Sequence, residues 1–286
     1  MKKPYLYAFV AIAIWSTTAT VSKLLLHSFT TIQILAVCSA MAAVFLFAVN
    51  LFSGKLRVLK TYRLRDYLIT AGVGLLGTFF YNMFLVFGIG RLLASQAMII
   101  NYLWPMMAVV AGCVILKEKM TLRKGLAVAM SFLGVVIVTS NGSLLGFTGG
   151  NLLGALMCVL AAVSYGLFVV LNKHLPYESS VSMMLYYIVS TLVAVTCVLI
   201  SGNLPALSGI QSLGLLWIGL GDYAIAYVSW ALAMKAGQTA KIANLAYITP
   251  FLSLVVAHFA LGDPITVWSV GGLLVIIAGI FLQMKE

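Results

Sequence analysis

The stretch NYLWPMMAVVAGCVILKEKMT at residues 101–121 has a partner later in the chain, AYITPFLSLVVAHFALGDPIT at residues 246–266. Aligned at an offset of 145, the two stretches share a tyrosine, a proline, an acid and a threonine in the same order. The matching pairs are Tyr102 and Tyr247, Pro105 and Pro250, Glu118 and Asp263, Thr121 and Thr266, Gly134 and Gly279, and, at an offset of 150, Lys23 and Lys173. This repeat predicts two related halves, at residues 1–145 and 146–286.

The composition requires a membrane environment. Hydrophobic residues make up 63% of the 286 residues and charged residues only 8%, and a surface in water cannot be built from that balance. A hydrocarbon core about 30 Å thick needs roughly 20 apolar helical residues for each crossing, so the chain has room for about ten to twelve short-looped helices. The predicted spans are 5–26, 31–52, 67–88, 93–116, 122–141, 151–172, 180–201, 211–234, 239–261 and 266–284.

The basic residues orient these spans. In a soluble protein a net charge of +11 would suggest nucleic acid as a partner, but here the basic residues occupy short segments between apolar spans. Of the 17 Lys and Arg residues, all but Lys23 and Arg91 fall on one side of a ten-span array. Because basic loops stay in the cytoplasm, both termini of this multi-pass protein of the cytoplasmic (inner) membrane are expected to be cytoplasmic. The N-terminal run is expected to remain as the first helix, since Trp15 and Lys23 make a poor cleavage region.

Each half contains five spans, an odd number, so the second half enters the membrane from the opposite side to the first. The predicted fold is therefore an all-α integral membrane protein, with ten transmembrane helices in a 5+5 inverted-topology repeat. Many transporters use this arrangement, because two pseudo-symmetric halves can expose a site at the midplane alternately to each side.

The residues at the repeat also resemble a known family. Two sets of five spans, each with a proline in its fourth helix and an acid thirteen residues on, resemble the EamA branch of the drug/metabolite transporter superfamily over the whole chain. Within that branch, Trp15-Ser16-Thr17, the stretch 101–105 and Tyr227-Val228-Ser229-Trp230 are similar to the YddG-type aromatic amino-acid exporters. The resemblance implies export of amino acids, aromatic ones first, or of similar metabolites from the cytoplasm.

Pro105 and Pro250 interrupt helices at matching places. Proline lacks an N–H, so each leaves the carbonyl four residues earlier, at Asn101 and Ala246, without its helical partner. In hydrocarbon such a group must be satisfied by protein, water or substrate. Paired interruptions point to a binding site, and a packing kink satisfied by a neighbouring hydroxyl is the alternative.

Polar and aromatic residues recur at spacings of three to four in several helices, which places them on common faces. Such faces suit a cavity that stacks on a planar apolar group and hydrogen-bonds its polar end. Hydrogen bonding between helices is the alternative use for the Ser, Thr and Asn residues. The candidate substrate-binding residues are Trp15, Thr18, Tyr81, Asn82, Asn101, Trp104, Ser164, Phe168, Asp222, Tyr223, Tyr227, Trp230, Asn244 and Tyr247.

Asp222 is the one acid near the middle of a predicted span. A carboxylate at that depth is costly, so it is expected to face a cavity or a partner. Three roles remain open for it: a counter-charge for a substrate ammonium group, a proton-coupling site, or a structural acid hydrogen-bonded to a hydroxyl.

Other function classes receive less support. The sequence has no HExxH, GxSxG, Walker or paired-carboxylate pattern, so no enzyme is expected, and it shows no metal-ligand spacing and no sign of a cofactor. A channel, the alternative outside transport, would favour a continuous polar lining or rings of charge. We predict a secondary transporter, a monomer or weak dimer, that moves a small molecule across the bilayer by alternating access, with proton coupling left open. Export of drugs or other amphipathic metabolites is the alternative to amino-acid export.

Overall fold

The computed structural model describes residues 3–142, 149–207, 209–236, 242 and 244–283, and over these residues the chain contains helices and no β-strand. The predicted junction between the halves, at residues 145 and 146, lies outside the described residues. The membrane helices are α1 (Lys3–Leu25), α2 (Thr31–Phe52), α3 (Leu64–Arg91), α4 (Ala94–Ile115), α5 (Leu122–Ser140), α6 (Gly149–Lys173), α7 (Ser179–Ser201), α8 (Gln211–Ala236), α9 (Ala246–Leu261) and α10 (Val267–Gln283).

The first eight of these helices have the length and hydropathy of membrane spans, and α9 and α10 are shorter apolar helices. Their apolar residues point outward as well as inward, with Phe52 89% and Phe259 83% exposed. Such side chains suit a lipid surface, because hydrocarbon imposes no cost on exposed apolar groups. The ten-helix membrane fold predicted from the sequence is therefore confirmed.

The two halves repeat each other in backbone detail. Lys117 follows α4 with a φ of 56°, and Gly262 follows α9, at the equivalent position, with a φ of 75°. A left-handed residue ends many helices, and it is unfavourable for Lys117, which has a Cβ atom, so the two halves share a helix ending. Thr121 and Thr266 directly precede α5 and α10, and each accepts a hydrogen bond from the backbone N–H three residues on, at 3.3 Å and 3.0 Å.

The packing of the helices follows the same symmetry. Helix α3 packs on α6 and α8 packs on α1, while α4 packs on α6 and α9 packs on α1, so each contact has its counterpart in the other half. The pairs α2 with α7 and α5 with α10 join equivalent helices directly. The halves are thus interleaved, and a pseudo-twofold axis passes through both of these pairs.

Glycines mark where this axis crosses the interface between α5 and α10. A Cβ atom on Gly134 would lie 2.7 Å from the carbonyl oxygen of Gly272, and one on Gly279 would lie 2.8 Å from that of Ala127. At the offset of 145, Gly134 becomes Gly279 and Ala127 becomes Gly272, so the two contacts exchange. The small residues at these positions allow the two backbones to approach closely.

Helices α3 and α8 each contain a π-helical segment, at Leu75–Phe80 and Trp217–Ala226. The two segments overlap at the offset of 145, and the sequence did not predict either of them. A π segment widens the helix and redirects the side chains on it, and such segments are frequent at functional sites. Both lie at the middle of their helices, beside the centre of the bundle.

Candidate functional site

A cavity of about 230 Å³ lies at the middle of the bundle, between α1, α3, α4, α6, α7, α8 and α9. More than half of its lining residues are aromatic. It is lined by Trp15, Thr18, Tyr81, Asn82, Leu85, Met98, Asn101, Tyr102, Trp104, Tyr165, Tyr187, Asp222, Tyr223, Tyr227, Trp230, Met234, Ala246 and Tyr247. Both halves of the chain contribute to it.

Most of the residues predicted from the sequence are brought together here. Those that line the cavity are Trp15, Thr18, Tyr81, Asn82, Asn101, Trp104, Asp222, Tyr223, Tyr227, Trp230 and Tyr247. The structure places Ser164, Phe168 and Asn244 elsewhere. Ser164 donates a hydrogen bond to the carbonyl of Leu76 at 2.8 Å, within the π segment of α3, and the Phe168 ring packs on Gly77. Asn244 precedes α9 and is not part of the lining.

The sequence analysis missed three aromatic residues of the lining. Tyr102 was matched to Tyr247 in the repeat but was not among the candidate substrate-binding residues. Tyr165 follows Ser164 directly, so the face of α6 that meets the cavity lies one residue further along than predicted. Tyr187 is supplied by α7, a helix that offered no polar stripe. Its neighbour Tyr186 is 1% exposed and packs in the core against Phe168, with ring centroids 5.5 Å apart. The repeated tyrosines at 186 and 187 were the available signal.

The helix breaks lie at matching places in the two halves, and both border the cavity. Helix α4 is interrupted between Asn101 and Trp104, and α9 begins with a 3₁₀ turn at Ala246–Ile248. The carbonyl of Ala246, which Pro250 frees, accepts a hydrogen bond from the Tyr102 hydroxyl at 2.8 Å. The break in α9 is therefore satisfied by a side chain from the break in α4.

Asp222 lies in the π segment of α8, is 5% exposed, and lines the cavity. Its Oδ2 atom accepts a hydrogen bond from the Thr18 hydroxyl of α1 at 2.9 Å. None of the described residues that line the cavity is Lys, Arg or His. A buried carboxylate requires a compensating proton or cation, and no described lining residue supplies a cationic side chain.

The aromatic rings of the cavity are packed against one another. Tyr165 lies with its ring centroid 4.7 Å from that of Tyr81 and 5.2 Å from that of Trp104. Across the cavity, the Trp15 centroid lies 5.7 Å from that of Tyr227 and 5.4 Å from that of Trp230. Rings fixed in this way offer flat apolar surfaces to a ligand at a small entropic cost.

A family model described as the EamA-like transporter family matches the chain twice, at residues 2–140 and 152–284. The chain belongs to the EamA-like transporter family. The resemblance found in the sequence is thereby confirmed, and this EamA-like protein is a multi-pass membrane transporter. A small-molecule substrate and a lipid environment follow from that membership.

Relatives of this EamA-like transporter are distant. An uncharacterized transporter of Archaeoglobus fulgidus is 21% identical over 296 residues, which covers 99% of each chain. The aromatic amino acid exporter YddG of Ancylobacter novellus is 24% identical over 193 residues, covering 66% of this chain and 67% of that one. A solved crystal structure, 21% identical, matches with a TM-score of 0.67 over 99% of this chain and 96% of its own, and so shares the fold.

Proposed function

We propose that the protein exports small aromatic metabolites that carry an ammonium group, with aromatic amino acids the first candidates, by alternating access across the cytoplasmic membrane. The observation that carries this proposal is the carboxylate of Asp222 in a cavity lined mainly by aromatic rings. The rings provide a surface for a planar apolar group, and the carboxylate provides a counter-charge for an ammonium group. The similarity to an aromatic amino acid exporter supports the same substrate class.

The size of the cavity favours a small substrate over a large drug. Ligand pockets commonly measure roughly 300–1,000 Å³, and this cavity of about 230 Å³ lies below that range. It can hold a side chain with one or two fused rings and a short polar tail. Large compounds with several separate rings would require the cavity to expand, so multidrug export is the less favoured alternative.

Contacts at one end of the bundle support a state that is closed there. The Lys23 ammonium group of α1 donates hydrogen bonds to the carbonyls of Ile89 and Leu92, at 2.8 Å and 2.7 Å, where α3 ends. Beside it, the Asp263 carboxylate after α9 accepts hydrogen bonds from Ser95 at the start of α4, at 3.1 Å from its backbone nitrogen and 2.9 Å from its hydroxyl. In the proposed topology, with both termini cytoplasmic, this is the outer end.

The equivalent acid in the other half is in a different state. Glu118 pairs with Lys124 at 3.2 Å, and its side chain is 50% exposed, whereas Asp263 is 7% exposed. Two positions that match in sequence and backbone thus differ in their contacts. We infer that the outer acid is engaged and the inner acid disengaged in this state, and that rocking of the halves exchanges the two arrangements.

Counterflow in proteoliposomes tests the proposal. Vesicles that contain the full chain and are loaded with unlabelled phenylalanine, tyrosine or tryptophan are expected to accumulate the labelled amino acid faster than empty vesicles. A second series with an imposed pH gradient tests proton coupling. If the vesicles show no counterflow with any of the three, aromatic amino acids are excluded as substrates. The assignment to the transporter family would be unaffected.

A further inference from the structure

The charges in the cavity are one-sided. Asp222 contributes a carboxylate, and among the described lining residues no basic side chain faces it. Its hydrogen-bond donor, Thr18, is neutral. An amino acid brings both an ammonium group and a carboxylate into this space. The ammonium group finds an opposite charge, but the carboxylate finds none and adds a second negative charge close to Asp222.

One hydrogen-bond acceptor at the cavity has no partner among the described residues. The side-chain amide nitrogens of Asn101 and Asn82 already donate, to the Tyr81 hydroxyl at 3.1 Å and to the Thr78 carbonyl at 2.7 Å. The Tyr102 hydroxyl already donates to Ala246. By contrast, the Oδ1 atom of Asn101 is buried and accepts no hydrogen bond from the described residues. An ammonium group has donors and no acceptors, so the Asn101 oxygen suits an ammonium group.

The ring faces point to the same chemistry. Trp15, Trp104 and Trp230 line the cavity together with several tyrosines. Aromatic faces attract organic cations through the negative side of their quadrupole, tryptophan most strongly, and the attraction grows when water is excluded. The same faces offer an anion no compensation. A carboxylate surrounded by aromatic rings therefore favours an organic cation over an anion.

We propose that the cavity selects aromatic amines, in which the ammonium group is the only charge, over the corresponding aromatic amino acids. The inference rests on the proposed function and deepens it, because it uses the same cavity and states which substrate charge the cavity accepts. An aromatic amine neutralises Asp222, donates to the Asn101 oxygen and stacks between the rings. An aromatic amino acid does all of this and leaves its own carboxylate without an opposite charge.

Binding to the purified full chain in detergent tests the proposal without the leakage that amines cause in vesicles. The probes, measured by calorimetry, are phenylalanine, phenylalaninamide, phenethylamine and 3-phenylpropionate. Phenylalaninamide is the sharpest of them, because it has nearly the shape of phenylalanine and lacks only the negative charge. We expect phenylalaninamide and phenethylamine to bind at least about tenfold more tightly than phenylalanine, and 3-phenylpropionate not to bind.

Two variants locate the preference. Asp222→Asn keeps the shape of the side chain and is expected to reduce the preference for the amide over the amino acid to within about twofold. Asp66→Asn removes an acid outside the cavity lining and is expected to leave the preference unchanged. A thermal unfolding curve for each variant confirms folding, and the comparison of probes on the unmodified chain decides the proposal even if Asp222→Asn does not fold.

The outcomes separate the two proposals. Phenylalanine binding as tightly as phenylalaninamide would overturn the amine preference and leave an exporter of aromatic amino acids. Binding by none of the four probes would overturn the proposed function. A preference for amines that survives in Asp222→Asn would overturn the role of that carboxylate in selecting the substrate.

Discussion

The surroundings of Asp222 satisfy part of what a buried carboxylate requires. The π segment of α8 turns the carboxylate toward α1, where Thr18 donates to it. The role of a purely structural acid would be complete with this contact, yet one neutral hydroxyl does not balance a buried charge. Such a carboxylate requires a proton or a cation in addition to the Thr18 hydroxyl, and in the proposed function the ammonium group of the substrate supplies that cation.

Replacing this carboxylate should impair transport more than folding. For Asp222→Asn we expect counterflow to fall at least about tenfold, because a hydrogen bond to a charged group contributes about 1.5–3 kcal/mol. The yield of folded protein in detergent should stay near that of the parent chain, since asparagine can still accept the bond from Thr18. Transport at the parent rate would leave only the structural role for Asp222.

At individual residues, the sequence identified the residue types of the cavity better than it identified which helix face points into the cavity. It selected Asp222, Tyr81 and Trp104, because polar or large aromatic groups deep in an apolar span are unusual. It failed at Tyr165 and Tyr187, because lipid is as apolar as the protein interior and hydropathy does not report which way a membrane helix faces. The exact face followed only from the packing of neighbouring helices.

The ends of the helices are built from local hydrogen bonds. Glu178 caps α7 and accepts hydrogen bonds from the backbone of Val181 at 2.8 Å and from Lys55 at 2.6 Å. Burial opposes ionisation of Glu178, but the hydrogen bonds from Lys55 and Val181 outweigh it, so the pKa of this carboxyl lies below its usual value. The cap thereby joins the start of α7 to the short helix Lys55–Thr61 that follows α2.

The lowered pKa of Glu178 predicts how the cap responds to pH. A group whose pKa falls on folding contributes its full stability above its unfolded pKa of about 4.3, and loses it as the pH drops through the folded value. Glu178→Ala should therefore lower the free energy of unfolding by about 1 kcal/mol near neutral pH, and by less under strongly acidic conditions. Thermal unfolding in detergent at both pH values measures this. An equal loss of stability at both pH values would contradict a stabilising role for the ionised Glu178 carboxylate.

The proposed exchange of acids between the two ends can be tested by access to the cavity. Asp263→Asn weakens the contact with Ser95 and should favour opening at that end. We expect a cysteine placed at Met98, in a chain whose exposed Cys197 is replaced by serine, to react faster with an impermeant thiol reagent from outside, by about three- to tenfold.

Glu118→Gln is the matched control for this measurement. It changes the equivalent acid at the opposite end, where the carboxylate is already half exposed. Outside labelling at position 98 should not rise in this variant. Equal acceleration by both variants would indicate general loosening of the bundle and would contradict an exchange between two ends.

The elements themselves were largely readable from the chain. Composition and charge predicted the ten spans, and the repeat predicted two opposed sets of five, whereas the pairing of α2 with α7 and of α5 with α10 came only from the structure. The π segments at Leu75–Phe80 and Trp217–Ala226 were not readable, because one extra residue in a turn leaves no mark in a span that is apolar all round. Those two segments position much of the cavity wall.

The close approach of the halves at α5 and α10 is needed for the whole bundle. Gly134→Ala would place a methyl group 2.7 Å from the Gly272 carbonyl oxygen, and overpacking of this kind costs about 1–3 kcal/mol. Gly125→Ala in the same helix meets nothing within 4 Å and should be neutral or stabilising, because alanine favours helix. Comparing the two variants by thermal unfolding separates the effect of the α5–α10 contact from that of helix propensity. Equal stability of the two variants would contradict a role for Gly134 in this contact.

The hydrogen bond from Tyr102 to the Ala246 carbonyl couples the motions of the two halves. Each half has a helix break at its proline, and a hydrogen bond beside the cavity joins the two breaks directly. When the halves rock, the two breaks must move together, or this hydrogen bond must break. The two helix breaks are therefore mechanically coupled through one hydrogen bond, and a molecule in the cavity would lie directly beside that bond.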